Sequence, residues 1–430
     1  MAALYKPLVE HNNRKISDVV NTSRHFFKQI GIVYAIYSII VALIYPLQSK
    51  VDYSFKFVFC LVIVLSCGTL IQYLFSLSYK ILLQADQKGY IVSYATTTFF
   101  LVSLVLTLII VKFFSNFILL KFVNSVTFVI QPLIFGFFVR KYYKIDNKKE
   151  FSKDVLSNRW DGFGQNLAYF IHSNTDVIVL TVFSTFADVA IYSVYYMVVQ
   201  ALMGLINSVS NAISPSVGNA FVDSNIEEKN RIFSRYEFFV SYIATFCFTC
   251  CSVLIVPFVI IYTKGINDAN YDQSVFAIML VSAEFIYCLR SPYVNIAYNA
   301  GHFKQTSKYA YLEAFINIVM SIVLVPRFGL VGVAVGTIVS MAIRCFQHAL
   351  YLRHTILCRS VILWLKRMLI CGVVFLSSNI VIRYCIPIHV NSVLSWLLFA
   401  VVTAIISFAI LNIALFIFDR KELMQLIKRE

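Results

Sequence analysis

Long apolar segments with few charges recur along the whole chain of 430 residues, and they restrict its fold more than any other feature. A helix needs about 20 apolar residues to cross the hydrocarbon core of a bilayer. The apolar runs are continuous, whereas the strands of a transmembrane β-barrel alternate. About twelve segments qualify: 26–47, 54–78, 91–113, 116–139, 162–184, 190–214, 238–261, 274–297, 308–326, 331–352, 364–384 and 392–418. The sequence therefore predicts an all-α, polytopic membrane protein.

The charges are distributed in the way that membrane topology requires. The chain has a net charge of +15, and only 13% of its residues are charged. If the amino terminus is inside and the segments alternate, most of the Lys and Arg residues lie in inside loops, as the positive-inside rule requires. We therefore predict cytoplasmic termini and attribute the basicity to topology, so no nucleic acid partner is expected. The polar, basic start of the chain also predicts that there is no cleavable signal peptide.

Enzyme and metal-site motifs are missing from the sequence. Ten cysteines lie almost wholly in apolar segments, where a free cysteine behaves as a small hydrophobe. The C-x-x-C spacing within 247–251 has no second pair and no histidine cluster beside it, so we predict no metal and no cofactor. No H-E-x-x-H, P-loop or G-x-S-x-G motif occurs. The chain is predicted not to be an enzyme, and transport would have to use an ion gradient, the membrane potential or a partner.

Two parts of the chain are similar at a nearly constant offset. Ser23-Arg24 corresponds to Ser234-Arg235, and Leu43-Ile44-x-Pro46 corresponds to Leu254-Ile255-x-Pro257, each 211 residues later. The copies differ by an even number of spans and so share one orientation, which predicts two lobes with the substrate bound between them. We predict a lobe of four helices over 1–145, a lobe of six helices over 146–355, and an added helix pair with a cytoplasmic tail over 356–430.

A stripe of polar side chains runs along one face of the fifth apolar segment. Spacings of three and four residues place these side chains on the same side of a helix. They are Asn158, Asp161, Gln165, Tyr169, His172 and Asp176, and the next segment repeats the pattern with Gln200, Asn207, Asn211 and Ser214. Such groups are costly in a membrane unless they face protein or a water-filled cavity. The stripes therefore indicate either a transport path or hydrogen bonds between helices.

Charged residues inside the predicted spans are further candidates. Arg290 and Arg344 each need a cavity or a partner in hydrocarbon, and the planar guanidinium group suits phosphate. The alternative for them is a structural ion pair with Glu284 or Glu313, or snorkelling to the cytoplasmic edge. Glu284 and Asp176 are the candidates for coupling to a cation or a proton, and the alternative for Asp176 is a role in connecting helices.

Three more arginines are predicted at the cytoplasmic mouth of the path. Arg159 lies off the polar stripe, where it either contacts an anionic head group or only follows the positive-inside rule. Arg24 and Arg235 occupy equivalent positions in the repeat and are predicted to frame the mouth from both lobes. Asn174 points away from the stripe and is not a candidate.

The run 158–221 resembles the polysaccharide-export flippases of the multidrug/oligosaccharidyl-lipid/polysaccharide exporter superfamily. The resemblance depends on Asn174-Thr175-Asp176 entering a hydrophobic run, Tyr192 near the start of the next helix, and an exit centred on Pro215. The stretches 3–27 and 295–340 also resemble this family, but its first two helices have no counterpart here. The resemblance implies a two-lobed transporter in the bacterial inner membrane that flips an undecaprenyl-diphosphate-linked oligosaccharide to the outer leaflet.

The same resemblance implies a cationic central cavity and alternation between inward-open and outward-open states. The implied partners are the lipid-linked oligosaccharide, membrane lipids, a coupling cation (Na⁺ or H⁺) and a polysaccharide polymerase. Two other functions stay open. One is a cation-coupled multidrug exporter of the same superfamily. The other is a membrane glycan polymerase or acyltransferase, although such polymerases have a large outer loop and the outer loops predicted here are short.

Overall fold

The secondary structure is α-helical, without a strand, across the residues that the structure describes. This computed structural model describes residues 12–48, 54–86, 88–114, 116–146, 163–222, 225–385 and 390–420, with isolated positions near both ends. The helices are α1 (Asn13–Gln48), α2 (Phe55–Ile71), α3 (Leu77–Ala85), α4 (Gly89–Phe113), α5 (Phe117–Thr127), α6 (Ile130–Tyr142), α7 (Phe163–Phe183), α8 (Phe186–Val222), α9 (Ile226–Tyr262), α10 (Ser274–Asn299), α11 (Phe303–Thr355), α12 (Val361–Cys385) and α13 (Val393–Phe418).

Ten helices of the described chain are long and apolar enough to cross a membrane. One of them, α11, bends sharply at Gly329, which has a φ of 53° and follows Pro326 closely. Its two arms pack side by side. The Asn317 amide in the first arm donates to the Thr337 hydroxyl in the second at 3.1 Å. Helix α7 and the second arm of α11 bring these ten to twelve, which matches the number of predicted spans. The predicted all-α membrane fold is confirmed.

The helices pack into two units, Met1–Trp160 and Asp161–Glu430. Unit 1 contains α1 to α6, and its core includes the fully buried Leu82 and Phe135. A π-helical stretch, Gln72–Ser76, joins α2 and α3 into one continuous span. Unit 2 contains α7 to α13, so the added helix pair α12–α13 belongs to the same unit as the second repeat. The finer division at 145 and 355 stays a prediction.

Outside the membrane spans of unit 1, a small polar cluster joins the turn between α3 and α4 to the end of α6. The Lys88 ammonium lies 2.5 Å from an Asp86 carboxylate oxygen and 4.4 Å from the ring centre of Tyr142. The Tyr143 hydroxyl donates to the same Asp86 oxygen. Burial raises the pKa of the Tyr143 phenol, and the hydrogen bond to Asp86 raises it further. The phenol therefore stays a donor at neutral pH and ties the α3–α4 turn to the end of α6.

Buried ion pairs fasten the helix pair α12–α13 within unit 2. Glu237 of α9 is fully buried and accepts hydrogen bonds from Tyr293 at 2.5 Å and from Arg359 at 2.7 Å. Arg359 lies in the short connection between α11 and α12. At the start of α12, Arg367 lies 3.2 Å from Asp419, which directly follows α13. Losing one partner of such a pair leaves an uncompensated buried charge. The Arg359–Glu237 pair therefore holds the helix pair on α9, and the Arg367–Asp419 pair holds α12 and α13 together.

The α11 hairpin generates a stability prediction. A Cβ atom on Gly332 would lie 2.7 Å from the Leu324 backbone carbonyl in the facing arm, whereas one on Gly372 of α12 would meet nothing within 4 Å. Gly332→Ala must therefore push the arms apart, and we expect a loss of about 1–3 kcal/mol. Gly372→Ala is the matched control and should be neutral or slightly stabilising. Thermal unfolding in detergent measures both, and equal behaviour of the two variants would contradict the close packing of the arms.

Candidate functional site

A buried group of one carboxylate and two guanidinium groups lies in the described part of unit 2. Glu313, on the first arm of α11, places one oxygen 3.0 Å from Arg290 Nη1 and the other 3.7 Å from Arg344 Nε. All three side chains are less than a tenth exposed. Arg290 comes from α10 and Arg344 from the second arm of α11, so a single carboxylate joins three helical segments.

The two arginines are not held equally. Arg290 donates a hydrogen bond to Glu313 and lies 5.1 Å from the ring centre of Tyr287. Arg344 is at ion-pair distance only, and its Nε and Nη1 atoms are buried without a hydrogen-bond partner among the described residues. His348, one turn later, bonds the Arg344 carbonyl through Nδ1 at 3.1 Å, and its Nε2 is likewise unsatisfied. The second arm of α11 thus presents two arginine donors, and a histidine nitrogen that is an acceptor in the neutral ring, without hydrogen-bond partners among the described residues.

Asp176 lies close to this group, on α7, at the meeting point of three helices. One of its carboxylate oxygens accepts hydrogen bonds from Tyr192 of α8 at 3.0 Å and from Thr337 of α11 at 3.1 Å. Thr337 in turn accepts from Asn317, whose own amide oxygen is buried without a hydrogen-bond partner in the described ranges. Carboxylate, hydroxyl and amide oxygens therefore come together in the membrane interior.

Glu284 of α10 is the second buried carboxylate of this region. It is 4% exposed, and its Oε2 atom has no hydrogen-bond partner among the residues described. Its charge interacts most strongly with that of Asp176 and also with Arg290 and Glu313. The structure therefore brings four predicted residues, Asp176, Glu284, Arg290 and Arg344, into one electrostatically connected region. A carboxylate without a partner in hydrocarbon favours the uptake of a positive charge.

A second polar surface joins α8 to α10. The Asn295 amide donates to Ser210 at 3.2 Å, to Asn211 at 3.2 Å and to Tyr236 of α9 at 2.9 Å. One turn later, the Asn299 amide donates to the Ser214 backbone carbonyl at 2.8 Å. The polar stripe of α8 is thus used at this end for hydrogen bonds between helices, which is the structural alternative considered for it.

The remaining predicted residues are spread over other parts of the chain. Gln200 is exposed and Asn207 is half-buried on α8, while Arg235 is exposed near the start of α9. In unit 1, Arg24 donates to the Tyr79 hydroxyl at 2.5 Å. Arg159 and Asp161 lie outside the described residues, and the side chains of Gln165 and His172 lie outside the description although their backbone is helical.

Sequence reasoning named Glu313 only as an alternative partner and did not single out Asn317 or Thr337. A signal was present for two of them: Glu313 and Asn317 are four residues apart and therefore share a helix face. Thr337 has no such signal, because a lone threonine in an apolar span usually bonds to its own helix. It does so here as well, at 3.1 Å from the Val333 carbonyl. Within the described chain no group of three or more His, Cys, Asp or Glu side chains could hold a metal ion.

The chain is similar to one family of proteins and to several solved structures. The family model described as "Polysaccharide biosynthesis protein" matches residues 3–221, about half of the chain. The fold is similar to that of a lipid II flippase, MurJ, in an inward closed conformation, with a TM-score of 0.73, 14% identity, and coverage of 97% of this chain and 87% of that one. It is also similar to an outward-facing multidrug resistance transporter of the MATE family, with a TM-score of 0.52, 14% identity, and coverage of 79% and 82%.

No match was found among curated proteins. Both solved structures share the fold predicted from the repeat, and the second is described as a member of the MOP superfamily. The family match covers nearly all of unit 1, together with α7 and nearly all of α8. The chain therefore belongs to the polysaccharide biosynthesis protein family, with the fold of the MOP-superfamily transporters and flippases.

Proposed function

We propose that the protein flips an undecaprenyl-diphosphate-linked oligosaccharide across the bacterial inner membrane during surface-polysaccharide biosynthesis. One observation carries the proposal: a member of a polysaccharide biosynthesis family has, over 97% of its length, the fold of a lipid II flippase. Lipid II is the substrate of that protein, and the proposed substrate here shares its lipid-linked character. The exported unit would then pass to a polysaccharide polymerase.

The distribution of arginines supports an anionic substrate. Arg235 is exposed, and Arg24 reaches Tyr79 from a half-buried position, so both suit contact with a head group. Arg344 is the better candidate of the two buried arginines, because its Nε and Nη1 groups, which have no hydrogen-bond partner among the described residues, can donate to a diphosphate oxygen without breaking a hydrogen bond. Arg290 already donates to Glu313 and fits the role of an anchor for that carboxylate.

The two buried carboxylates support coupling to a cation. Asp176 and Glu284 lie within one region of unit 2 and repel each other, which disfavours having both ionised without a compensating charge. Oxygen donors from Thr337 and Asn317 lie beside Asp176. Uptake of Na⁺ or H⁺ here would relieve the repulsion, and the ion gradient would then drive the change of state. This assignment is part of the proposal, as are the bacterial inner membrane and the cytoplasmic termini.

Loss of the gene tests the proposal directly. In a strain without a redundant flippase, deletion should leave lipid-linked units in the cytoplasmic leaflet and abolish the surface polysaccharide. The measurement is the leaflet distribution of the lipid-linked units together with the amount of surface polysaccharide. Intact polysaccharide with raised drug sensitivity would instead support a multidrug exporter.

If Asp176 belongs to a cation site, substitutions of Asp176 and of the nearby Asn174 on α7 should differ in their effect on transport. Asp176→Asn removes the charge but keeps the shape, and we expect transport to fall by about tenfold or more, the effect of losing a charged hydrogen-bonding group worth at least about 1.4 kcal/mol. Asn174→Ala is the control, because among the described residues the Asn174 amide donates to the Phe170 carbonyl of its own helix, at 2.8 Å, and to no other helix. Restoration of polysaccharide in the deletion strain, normalised to protein abundance, measures both. Full activity of Asp176→Asn would exclude a coupling role for this carboxylate.

Because the two arginines are paired unequally, we predict that substituting Arg290 mainly lowers stability, whereas substituting Arg344 mainly lowers transport. Arg290→Met removes one charge of a buried, hydrogen-bonded ion pair, and we expect a loss of stability of about 3–5 kcal/mol. Arg344→Met removes a more distant charge and should unfold at nearly the temperature of the parent protein while transport falls. Thermal unfolding in detergent and the complementation assay provide the two readouts. If Arg344→Met transports normally, Arg344 does not contact the substrate.

A further inference from the structure

A cluster of charged side chains lies at one end of unit 2, where the α11–α12 connection, the start of α12 and the residue after α13 meet α9. Arg359 Nη1 lies 2.7 Å from the Glu237 carboxylate, and Arg367 Nη1 lies 3.2 Å from Asp419. The Lys366 ammonium lies 2.8 Å from the other carboxylate oxygen of Asp419. These three cations and two carboxylates form the basic end cluster, to which four separate segments of the chain contribute.

Both arginines of the basic end cluster have a buried donor without a hydrogen bond. Arg359 Nε has no hydrogen-bond partner among the described residues, and Arg367 Nη1 lies at ion-pair distance from Asp419 without a hydrogen bond to a described residue. Aromatic rings help to fix the two guanidinium groups, since Arg359 lies 5.3 Å from the ring centre of Phe233 and Arg367 lies 4.9 Å from that of Phe238. Leaving a buried donor unpaired is costly. The cluster therefore favours an additional acceptor.

The basic end cluster also carries more positive than negative charge. Its two carboxylates compensate two of its three cations, and Arg420, exposed directly after Asp419, adds a further cation at the rim. Glu422 of the carboxyl-terminal tail is half-buried and interacts electrostatically with Arg367 and Arg359. Burial raises the pKa of the Glu422 carboxyl, and the two arginines lower it. The ionised Glu422 carboxylate therefore reduces the attraction of the cluster for an external anion.

The backbone directly before Arg359 is strained. Cys358 has a φ of 49°, in the left-handed region, and within the described ranges it is the one residue other than glycine with a positive φ. Such a conformation is costly for a residue with a Cβ atom and persists where the surrounding structure determines it. The Asn230 amide of α9 holds this turn by donating to the Leu357 carbonyl at 2.8 Å. The connection therefore keeps Arg359 against α9 although its backbone would relax elsewhere.

The surroundings of the cluster favour a lipid as the source of the missing acceptor. This end of unit 2 lies on the predicted cytoplasmic side, where basic sites between transmembrane helices bind anionic head groups. Guanidinium groups donate well to phosphate oxygens. Apolar side chains of the helix pair near the cluster are exposed, with Ile362, Leu369 and Phe418 at 74%, 59% and 55%. They offer acyl chains a surface close to the phosphate donors, which favours a phospholipid over free phosphate.

We propose that the basic end cluster binds the phosphate of an anionic phospholipid from the cytoplasmic leaflet, and that Glu422 competes with this phosphate for the arginines. The bound phosphate supplies the acceptor that Arg359 and Arg367 lack and balances the excess charge. Because the cluster joins α9 to α12 and α13, lipid binding stabilises the attachment of the helix pair to the rest of unit 2. The proposal does not depend on the identity of the transported substrate.

Thermal unfolding of the full-length protein in a neutral detergent, with increasing amounts of phosphatidylglycerol, tests this site. We expect a saturable rise in the unfolding temperature, and the dependence on lipid concentration gives an apparent affinity. Phosphatidylcholine with the same acyl chains and inorganic phosphate are the comparison ligands, and neither should reproduce the rise. Equal stabilisation by phosphatidylcholine would show a non-specific lipid effect, and equal stabilisation by phosphate would show a free-anion site. Either result would overturn the proposal.

Substitutions at the rim test the residues without altering the buried arginines. Lys366→Gln and Arg420→Gln each remove an exposed cation and should weaken the binding of phosphatidylglycerol about fivefold, the effect of one basic residue at a membrane surface. Glu422→Gln removes the competing carboxylate and should strengthen binding by a similar factor. A general loss of stability does not produce this opposite sign. Unchanged or weaker binding in Glu422→Gln would contradict the proposed competition.

Arg231→Gln is the matched control, because Arg231 is an exposed cation of α9 that pairs with Glu228 at 3.7 Å, outside the cluster. Its affinity for phosphatidylglycerol should equal that of the parent protein. Equal affinities of the parent, Lys366→Gln and Arg420→Gln proteins would refute the site, as would an equal loss in Arg231→Gln. If a variant unfolds too early for the titration, native mass spectrometry counts the phosphatidylglycerol molecules that it retains. A retained number that does not follow the same order would also refute the site.

Discussion

Charge placed in hydrocarbon must be balanced within the protein, and the second unit is organised around that constraint. The Glu313 carboxylate lies between Arg290 and Arg344 and thereby holds α10 and both arms of α11 in fixed positions. One anion cannot compensate two cations, so the region depends on further carboxylates for its balance. Glu284 interacts with Arg290, and Asp176 in turn interacts with Glu284. The packing of helices and the chemistry of the site are therefore two consequences of the same requirement.

The same constraint acts on the backbone. In unit 2, side chains of α12 and α13 donate to backbone carbonyls of α9: Trp396 to that of Leu254 and Arg383 to that of Ser252. From the repeat in the sequence, these two helices were predicted only as additions to a six-helix lobe. Their contacts with Ser252 and Leu254 show that they are as closely integrated into the unit as the helices of the repeat. The short connection with Arg359 then fixes the pair at the other end of α9.

Much of the fold followed from the sequence because hydrophobic length and periodicity are strong signals in membrane proteins. Even the two short spans on either side of Gly329 were separated correctly, since Pro326 and Gly329 interrupt the apolar run. The site was predicted less completely. Periodicity shows that Asp176 shares a face with its neighbours on α7, but it does not show which helix lies opposite, and Thr337 bonds Asp176 from 161 residues away. Likewise, the sequence offered Glu284 and Glu313 equally as partners for the arginines, and only packing distinguishes them.

The Gly329 bend has a practical consequence for studying this protein. Two membrane spans meet there without a loop, and the backbone of Gly332 already touches the facing arm at Leu324. A tag or protease site inserted at this connection would separate the arms and disturb the hairpin that carries Glu313 and Thr337. The connection between α9 and α10, at 263–273, is a loop in which most residues are exposed, and we expect it to tolerate such insertions far better. If the spans traverse the membrane alternately, both connections lie on the same side, so the loop can report the topology of the bend.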